Sequence, residues 1–304
     1  MPELPEVETI RRGLAKTIVG KKIADVEIRL PKIISIGPGV VSNVRKNSRA
    51  IAEKFRQLAR GHKIIGIKRR AKMLMIDLSG PLTILVHLKM TGQLIFAKKR
   101  EKKAVKIFNA ENSRKETLPH QYTHIFFRFR DGSHLYYNDL RQFGYLRLVL
   151  DKDLALVREL VEYGPEPDDK AFTLDYLIRK AKTRPRLSIK QFLMDPKVVA
   201  GIGNIYSDEI LFWAKIRPAR TLRSLNRQDF QAIYKFVPKV LTAAVRAGGS
   251  SVGDFFQVDG REGEYGRVHM VYGRYGERCK VCGEEILSVK LGGRTGSYCP
   301  HCQR

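Results

Sequence analysis

Apolar residues recur at three- and four-residue steps near the start of the chain, and Gly20 follows them. Residues at these intervals share one face of a helix, and glycine commonly ends one. The pattern therefore predicts an amphipathic helix over residues 6–19, with a buried face formed by Val7, Ile10, Leu14 and Ile18.

The chain then becomes rich in β-branched and aromatic residues. Residues 124–138 give the clearest signal, because Ile125, Phe127 and Phe129 fall on one side of an extended strand and Asp131-Gly132 is a typical hairpin turn. Other segments with strand composition are residues 23–30, 64–78, 82–96 and 145–150. No helical pattern alternates with these strands, so they predict an antiparallel β-sandwich or barrel rather than a doubly wound sheet.

Helical patterns dominate beyond residue 151. Pro238 falls inside the last of them, where it removes a backbone hydrogen bond and predicts a kink or a split. The candidate helices are residues 154–163, 174–182, 187–194, 204–215 and 227–246. We expect an α+β multidomain protein, with an N-terminal domain over residues 1–150, a helical domain over 151–265 and a small module over 266–304.

Two segments lack a clear period. Residues 98–120 are rich in lysine and predict a mobile, solvated loop that could also act as a basic arm. Residues 248–266 hold several glycines around aromatic residues, and they suit either a mobile lid or a connector to the terminal module.

The charge of the chain indicates its partner. Lys and Arg number 57 against 31 Asp and Glu, which gives a net charge of +26 and a pI near 10.1. Nucleic acid fits this excess better than a membrane, because the chain lacks an apolar run of 18 residues. Acidic residues precede any apolar stretch at the N-terminus, so no signal peptide is visible. We expect a cytoplasmic, nucleoid-associated protein.

The cysteines predict a metal site. Cys279, Cys282, Cys299 and Cys302 form two C-x2-C pairs separated by sixteen residues, the spacing of a four-cysteine zinc site on a hairpin. Two disulfides are the alternative, which a reducing compartment disfavours. His301 could in principle replace a cysteine. Four protein ligands leave no position for water, so the ion is expected to be structural.

The first residues suggest covalent chemistry. Removal of Met1 would expose the secondary amine of Pro2, which can attack an electrophilic carbon while Glu3 and Glu6 carry protons. On this segment alone, the favoured interpretation is instead a start stiffened by proline, with acidic residues at the positive end of the first helix.

The sequence Gly201-Ile202-Gly203-Asn204 lies between two predicted helices. It lacks the preceding strand and the third glycine of a dinucleotide-binding motif. It is either a simple interhelical turn or a turn whose backbone N–H groups and Asn204 grip a phosphate.

Six motifs in order resemble the formamidopyrimidine-DNA glycosylase family over nearly the whole chain. Besides the cysteine module and the Gly201–Tyr206 turn, they are Pro2–Thr9, Arg69–Lys72, His87–Gly92 and Asp139–Gly144. Leu4 stands where the endonuclease VIII branch typically has glycine, so the chain resembles the branch that acts on oxidised purines.

The resemblance implies a bifunctional DNA glycosylase/AP lyase of base excision repair, with a helix-two-turns-helix domain and a zinc-ribbon-like β-hairpin. It implies that Pro2 attacks C1′ of the damaged nucleoside to form a Schiff base, with Glu3 as the acid and Glu6 as its helper. Lys72 resembles the residue that assists β-elimination, and Arg294 resembles the residue that assists δ-elimination. The enzyme is expected to act as a monomer with one zinc ion and no organic cofactor.

The resemblance also implies DNA contacts. A glycosylase must fill the gap left by an extruded nucleotide, and Met90, Arg141 and Phe143 match the family's void-filling residues. Core packing is the alternative for Met90 and Phe143. Asn204 and Arg186 match phosphate or backbone contacts. Tyr122 stands where many relatives have a DNA-contacting histidine, which puts that contact in doubt.

Two other functions compete with this one. The chain could be a non-catalytic protein that recognises damaged or branched DNA, or an RNA-binding protein with a zinc ribbon. The partner expected from the resemblance is double-stranded DNA that contains oxidised purines or abasic sites.

Overall fold

The structure is a computed structural model, and it describes residues 1–39, 47–107, 114–253 and 255–304. The chain forms two compact units. The first comprises Met1–Val161 and Gly248–Glu264, and the second comprises Glu162–Ala247 and Tyr265–Arg304. Among the described residues, no helix is both long enough and apolar enough to cross a lipid bilayer.

Two large β-sheets and a two-stranded hairpin build the first unit. Its described strands are β1 (Ile23–Ile28), β2 (Ile34–Ile36), β3 (Ile64–Arg70), β4 (Met73–Leu78), β5 (Leu82–His87), β6 (Gly92–Ala97), β7 (Ala104–Ile107), β8 (Arg114–Thr117), β9 (Thr123–Phe129), β10 (His134–Asp139) and β11 (Tyr145–Leu150). One sheet has the order β1-β9-β10-β6, and the other has the order β2-β11-β5-β4-β3. All pairs within these two sheets are antiparallel except β2 with β11. The predicted sandwich with an N-terminal helix is confirmed.

The main core lies between these sheets. Ile125, Phe127 and Phe129 point into it from β9, as their alternation predicts, while Phe126 joins a smaller cluster on the opposite face. Helix α1 (Leu4–Thr17) packs against β3, β4 and β6 and contributes the buried face that its periodicity predicts.

A second helix in this unit is absent from the sequence predictions. Helix α2 (Arg49–Ala59) begins after Ser48, whose hydroxyl accepts a hydrogen bond from Ile51 N–H at 3.3 Å. Ala52, Phe55 and Ala59 form its buried face. The spacing of these three residues and the serine cap were the available signals.

The lysine-rich segment differs from the expected loop. Strands β7 and β8 pair there as an antiparallel hairpin, and residues 108–113 between them lie outside the described residues. Val105 and Leu118 pack in one cluster with Phe256. Packing of these two side chains with a residue far along the chain therefore orders a segment whose local composition favours solvent.

The glycine-rich segment belongs to the first unit, so the two units divide the chain differently from the boundaries expected at residues 150 and 265. Phe255 and Val258 enter the main core, and the Val258 carbonyl accepts a hydrogen bond from Phe96 N–H at 2.8 Å. Apolar burial explains why these residues join the sandwich rather than the helices before them.

The second unit is helical and ends in a hairpin. The short helix α3 (Arg158–Val161) still belongs to the first unit. The helices and strands of the second unit are α4 (Leu174–Lys182), α5 (Ile189–Met194), α6 (Asn204–Trp213), α7 (Arg227–Arg246), β12 (Leu287–Leu291) and β13 (Arg294–Tyr298). Helix α7 runs through Pro238 without a split. The carbonyl that loses its donor belongs to Tyr234, a residue on the exposed side of the helix.

One ionic cluster attaches α1 to the sheet. The Glu8 carboxylate accepts hydrogen bonds from Arg11 at 2.8 Å, Arg12 at 2.8 Å and Arg69 at 3.2 Å. Burial alone would raise the pKa of Glu8, but the hydrogen bonds from the three guanidinium groups outweigh it and lower the pKa from 4.5 to about 2.

We expect Glu8→Gln to weaken the fold in a pH-dependent way. A depressed pKa means that the contribution of ionised Glu8 is complete above pH 4.5 and is lost as the pH falls towards about 2. The variant should lose about 1–2 kcal/mol of unfolding free energy at pH 7, less than the full linkage value because solvent screens the cluster. Urea denaturation from pH 7 to pH 2 measures the difference.

Asp259→Asn is the matched control, because Asp259 lies in an exposed ion pair with Arg261. It should change the unfolding free energy by less than about 0.5 kcal/mol. A Glu8→Gln effect that stays constant down to pH 2 would contradict the assignment.

Candidate functional site

The N-terminal turn is buried. Pro2 is buried, and Glu3 and Glu6 are each only 1% exposed. Glu3 is the N-cap of α1, and its backbone N–H donates to Glu6 Oε2 at 2.8 Å in a capping box. The other Glu6 oxygen accepts a hydrogen bond from Ser250 N–H at 2.8 Å. The Glu6 carboxylate thus holds the first residues against the glycine-rich segment.

Gly249 is needed for this contact. Its φ is +85°, a conformation that side-chain-bearing residues rarely adopt. A Cβ there would lie 3.1 Å from Glu6 Oε1 and 2.9 Å from the Phe255 ring. The segment can therefore approach the carboxylate only through a glycine.

Strand register brings four predicted site loops to one end of the sandwich. Met73 at the start of β4 and Tyr145 at the start of β11 both pair with His87 at the end of β5. In the other sheet, Gly92 at the start of β6 pairs with Asp139 at the end of β10. The connections at this end carry the predicted site residues Lys72, Met90, Tyr122, Arg141 and Phe143.

Lys72 lies in a two-residue turn between β3 and β4. Ala71, the other turn residue, has a φ of +53° and is 1% exposed. Arg69 donates to the Ala71 carbonyl at 3.2 Å and to the Glu8 carboxylate at 3.2 Å. Arg69 therefore connects the Lys72 turn to the first turns of α1.

Met90, Arg141 and Phe143, which we call the wedge residues, occupy two neighbouring connections. Phe143 is 48% exposed, and the Arg141 guanidinium lies 4.7 Å from the centre of its ring. Met90 is half-buried. An exposed aromatic ring beside a cation is unusual for core packing, so the position of Phe143 argues against the core alternative.

Tyr122 lies at the same end, in the turn before β9. Its N–H donates to His120 Nδ1 at 3.1 Å, and its carbonyl accepts from Asp139 N–H at 3.0 Å. Burial lowers the pKa of both His120 and His124. These histidines therefore stay neutral near pH 7 and act as packing and hydrogen-bonding groups.

In the second unit, Asn204 is the first residue of α6 and follows Gly203 as N-cap. Gly201 has a φ of +101°, which allows the tight turn before it. Arg186 is exposed in the turn before α5. The turn thus presents the N-terminal end of α6, where backbone N–H groups favour an anion.

A buried ion pair supports this turn. Lys190 and Asp208 are fully buried, and Lys190 Nζ donates to Asp208 Oδ1 at 2.6 Å and to the Asn204 carbonyl at 3.2 Å. The second Asp208 oxygen accepts from Ser297 N–H at 3.0 Å. Burial raises the pKa of Asp208, although the Lys190 ammonium opposes that shift.

The four cysteines meet the geometry of a zinc site. Their Sγ atoms all lie within 4.8 Å of one another, with Cys279 and Cys302 3.9 Å apart and Cys282 and Cys299 3.4 Å apart. A tetrahedral ion with Zn–S bonds of 2.3 Å requires sulfur separations of about 3.8 Å. The thiols are unpaired, so the arrangement fits one structural zinc ion and not two disulfides.

Arg294 lies beside the tip of the zinc module's β-hairpin. Leu291 pairs with Arg294 across Gly292 and Gly293, both with positive φ, which is typical of a tight hairpin turn. A Cβ at Gly292 would lie 2.3 Å from Gln191 Nε2 on α5. The exposed Arg294 is therefore presented by a tight turn that lies close to α5 of its own unit.

Several supporting residues were not identified from the sequence. Ser250 and Ser297 act through backbone N–H groups, which leave no side-chain signal. Glu209 accepts hydrogen bonds from the consecutive N–H groups of Met270, Val271 and Tyr272 at the start of the terminal module. Its position inside α6, five residues after the interhelical turn, gives no indication of this partner.

Comparison with known proteins agrees with this architecture. Family models match the formamidopyrimidine-DNA glycosylase N-terminal domain at residues 1–146, its H2TH domain at residues 163–255 and the zinc finger found in FPG and IleRS at residues 276–304. Formamidopyrimidine-DNA glycosylase of Carboxydothermus hydrogenoformans is 38% identical over 304 residues, with 100% of both chains covered. The Listeria monocytogenes protein of that name is 37% identical, also over 100% of both chains.

Solved structures show the same similarity. The complex of Lactococcus lactis Fpg with abasic-site DNA has a TM-score of 0.82 and 30% identity, covering 99% of both chains. A complex of MutM with DNA containing carbocyclic 8-oxo-G has a TM-score of 0.82 and 30% identity over 100% of both chains.

Fold and motifs together define a DNA glycosylase of base excision repair with a helix-two-turns-helix domain and a zinc finger. The chain belongs to the formamidopyrimidine-DNA glycosylase family, for which AP lyase activity is standard.

We expect the terminal module to depend on its metal. Cys282→Ala should abolish binding of the single zinc ion and unfold residues 276–304, because so short a segment has little core of its own. Metal analysis and hydrogen exchange of this segment measure both effects.

His301→Ala is the control within the module and should retain one zinc ion, since His301 is exposed and lies outside the cysteine cluster. Zinc loss in His301→Ala would contradict the four-cysteine site.

Proposed function

We propose that this glycosylase removes oxidised purines, such as 8-oxoguanine and formamidopyrimidines, from double-stranded DNA through a covalent intermediate on Pro2. The observation that carries the proposal is the buried N-terminal turn, in which the Glu6 carboxylate is fixed by Glu3 N–H and Ser250 N–H. A nucleophile needs a defined position relative to its target, and this turn limits the freedom of Pro2.

In the proposed mechanism, the Pro2 nitrogen attacks C1′ and the bond between C1′ and the base breaks. Glu3 delivers the proton that opens the deoxyribose ring, which leaves an iminium between Pro2 and C1′. Loss of a C2′ proton then expels the 3′ phosphate, and a second elimination expels the 5′ phosphate. We assign assistance in these steps to Lys72 and Arg294, respectively, and hydrolysis of the iminium releases the enzyme.

DNA contacts are proposed for both units. The wedge residues fill the space of the extruded nucleotide, Tyr122 approaches the backbone through its hydroxyl, and Asn204 and Arg186 bind phosphate. The exposure of Phe143 and the helix N-terminus at Asn204 support these roles. The excess of positive charge supports a location on nucleoid DNA in the cytoplasm.

We expect borohydride to trap wild-type protein on an 8-oxoguanine duplex once Met1 has been removed. Pro2→Gly should reduce the yield of adduct strongly, because a primary amine on a flexible residue replaces a fixed secondary amine. Terminal mass spectrometry verifies that Met1 is absent from each sample. The control is Pro5→Ala, which alters the other proline of the turn and should still form the adduct.

Absence of an adduct with processed wild-type protein would overturn the Pro2 mechanism, and so would an undiminished yield in Pro2→Gly. Tight binding to lesion DNA without any adduct would instead identify a recognition protein.

We expect Phe143→Ala to slow excision from a duplex by at least about tenfold, because the unstacked gap costs a few kcal/mol when nothing fills it. Single-turnover kinetics measure the rate. Leu156→Ala removes a side chain that is 63% exposed in the same unit and should leave the rate unchanged. Equal effects of the two substitutions would contradict the role of Phe143.

A further inference from the structure

Asp139 at the end of β10 is fully buried, and both of its carboxylate oxygens accept hydrogen bonds. The Thr91 hydroxyl donates to Oδ1. Gly144 N–H donates to Oδ2 at 2.7 Å, and the Tyr137 hydroxyl lies 3.3 Å from the same oxygen. A carboxylate removed from water needs such donors, so its partners have little freedom to move away.

The Thr91 hydroxyl also bridges two connections. It accepts a hydrogen bond from Arg141 N–H at 2.9 Å while it donates to Asp139. Thr91 directly follows Met90, so this chain of bonds joins the connection that carries Met90 to the one that carries Arg141 and Phe143.

The backbone of Asp139 reaches a third connection. Its N–H donates to the Tyr122 carbonyl at 3.0 Å, and its carbonyl lies 2.8 Å from His124 Nε2. A carbonyl oxygen can only accept, so Nε2 of the buried His124 is the donor. Three connections predicted to contact DNA therefore meet at one residue that itself has no access to DNA.

The space around Gly144 shows how closely its backbone approaches the Asp139 carboxylate. A Cβ at this position would lie 1.7 Å from the Tyr137 hydroxyl and 3.0 Å from Asp139 Oδ2. Gln142, two residues earlier, has a φ of +57°. The backbone of this connection thus lies in close contact with the Asp139 carboxylate.

We propose that Thr91 and Asp139 are positioning residues that hold the wedge residues in the geometry needed for insertion into DNA. The proposal rests on the insertion role given above to Met90, Arg141 and Phe143. Removal of the Thr91 hydroxyl breaks the bond to Asp139 and the bond from Arg141 N–H together. The strand pairing of Gly92 with Asp139 remains, so the sheet stays intact while this side-chain link between the two connections is lost.

The test compares threonine variants of similar burial. Thr91→Val should slow single-turnover excision of 8-oxoguanine from a duplex by at least about tenfold, the effect expected when a wedge residue is lost. Thr91→Ser keeps the hydroxyl and should restore most of the rate. Thr83→Val is the matched control, because Thr83 is 1% exposed and donates to Asp151 at 2.7 Å from the opposite end of β5. It should leave excision unchanged.

A structural defect is distinguished by a substrate that requires no insertion. Cleavage of an abasic site in single-stranded DNA has no gap to fill, so Thr91→Val should cleave it at the wild-type rate. Equal losses on the single strand and the duplex would overturn the positioning role, and so would a wild-type rate of excision in Thr91→Val.

A binding measurement separates this inference from the covalent mechanism. In the Pro2→Gly background, fluorescence of 2-aminopurine next to an abasic-site analogue should rise on binding, because insertion unstacks the neighbouring base. Adding Thr91→Val should abolish most of this rise, and adding Thr83→Val should not. A full rise with Thr91→Val overturns the positioning role whether or not Pro2 is the nucleophile. Failure of wild-type trapping, together with a rise that depends on Thr91, overturns only the covalent mechanism.

Discussion

A buried carboxylate that accepts a hydrogen bond from the backbone N–H of a loop or strand is the interaction on which the candidate site depends. Glu6 receives Ser250 N–H, Asp139 receives Gly144 N–H, and Asp208 receives Ser297 N–H. Burial of an ionised carboxylate costs several kcal/mol unless such donors surround it. Each of these segments is therefore fixed where its donor meets the carboxylate, with a directional constraint that apolar packing alone does not give.

These carboxylates and the surface cations perform different tasks. The net charge of +26 favours binding to any DNA and makes that binding sensitive to salt. Cations on flexible side chains give little geometric precision. The buried acids instead hold loop and strand backbone in place through hydrogen bonds within the protein. The surface cations and the buried acids are thus separate sets of residues: the first face solvent, and the second are satisfied inside the protein.

The elements that the sequence predicted well have local causes. The buried face of α1 depends on residues within a few helical turns, and the zinc site depends on cysteines within one short module. Both predictions are confirmed. The hairpin formed by β7 and β8 could not be predicted in this way, because Val105 is ordered by packing with Phe256 far along the chain. The partner of Glu6 could not be predicted for a further reason. Every non-proline residue has a backbone N–H, so the sequence does not mark Ser250 as the hydrogen-bond donor. The roles of the individual site residues rest on family resemblance and stay predictions.

Backbone strain is concentrated at the same end of the sandwich as the predicted site loops. Ala71, Lys89 and Gln142 are three of the five non-glycine residues with positive φ in the described chain, and each lies beside a predicted site residue. Such a conformation costs about 1 kcal/mol or more per residue, so it persists only where surrounding bonds hold it. Near Ala71 that bond comes from Arg69, and near Gln142 it comes from Thr91 and Asp139. At Ala71 and Gln142 these hydrogen bonds oppose relaxation of the strained backbone, which would shift the neighbouring predicted site residue.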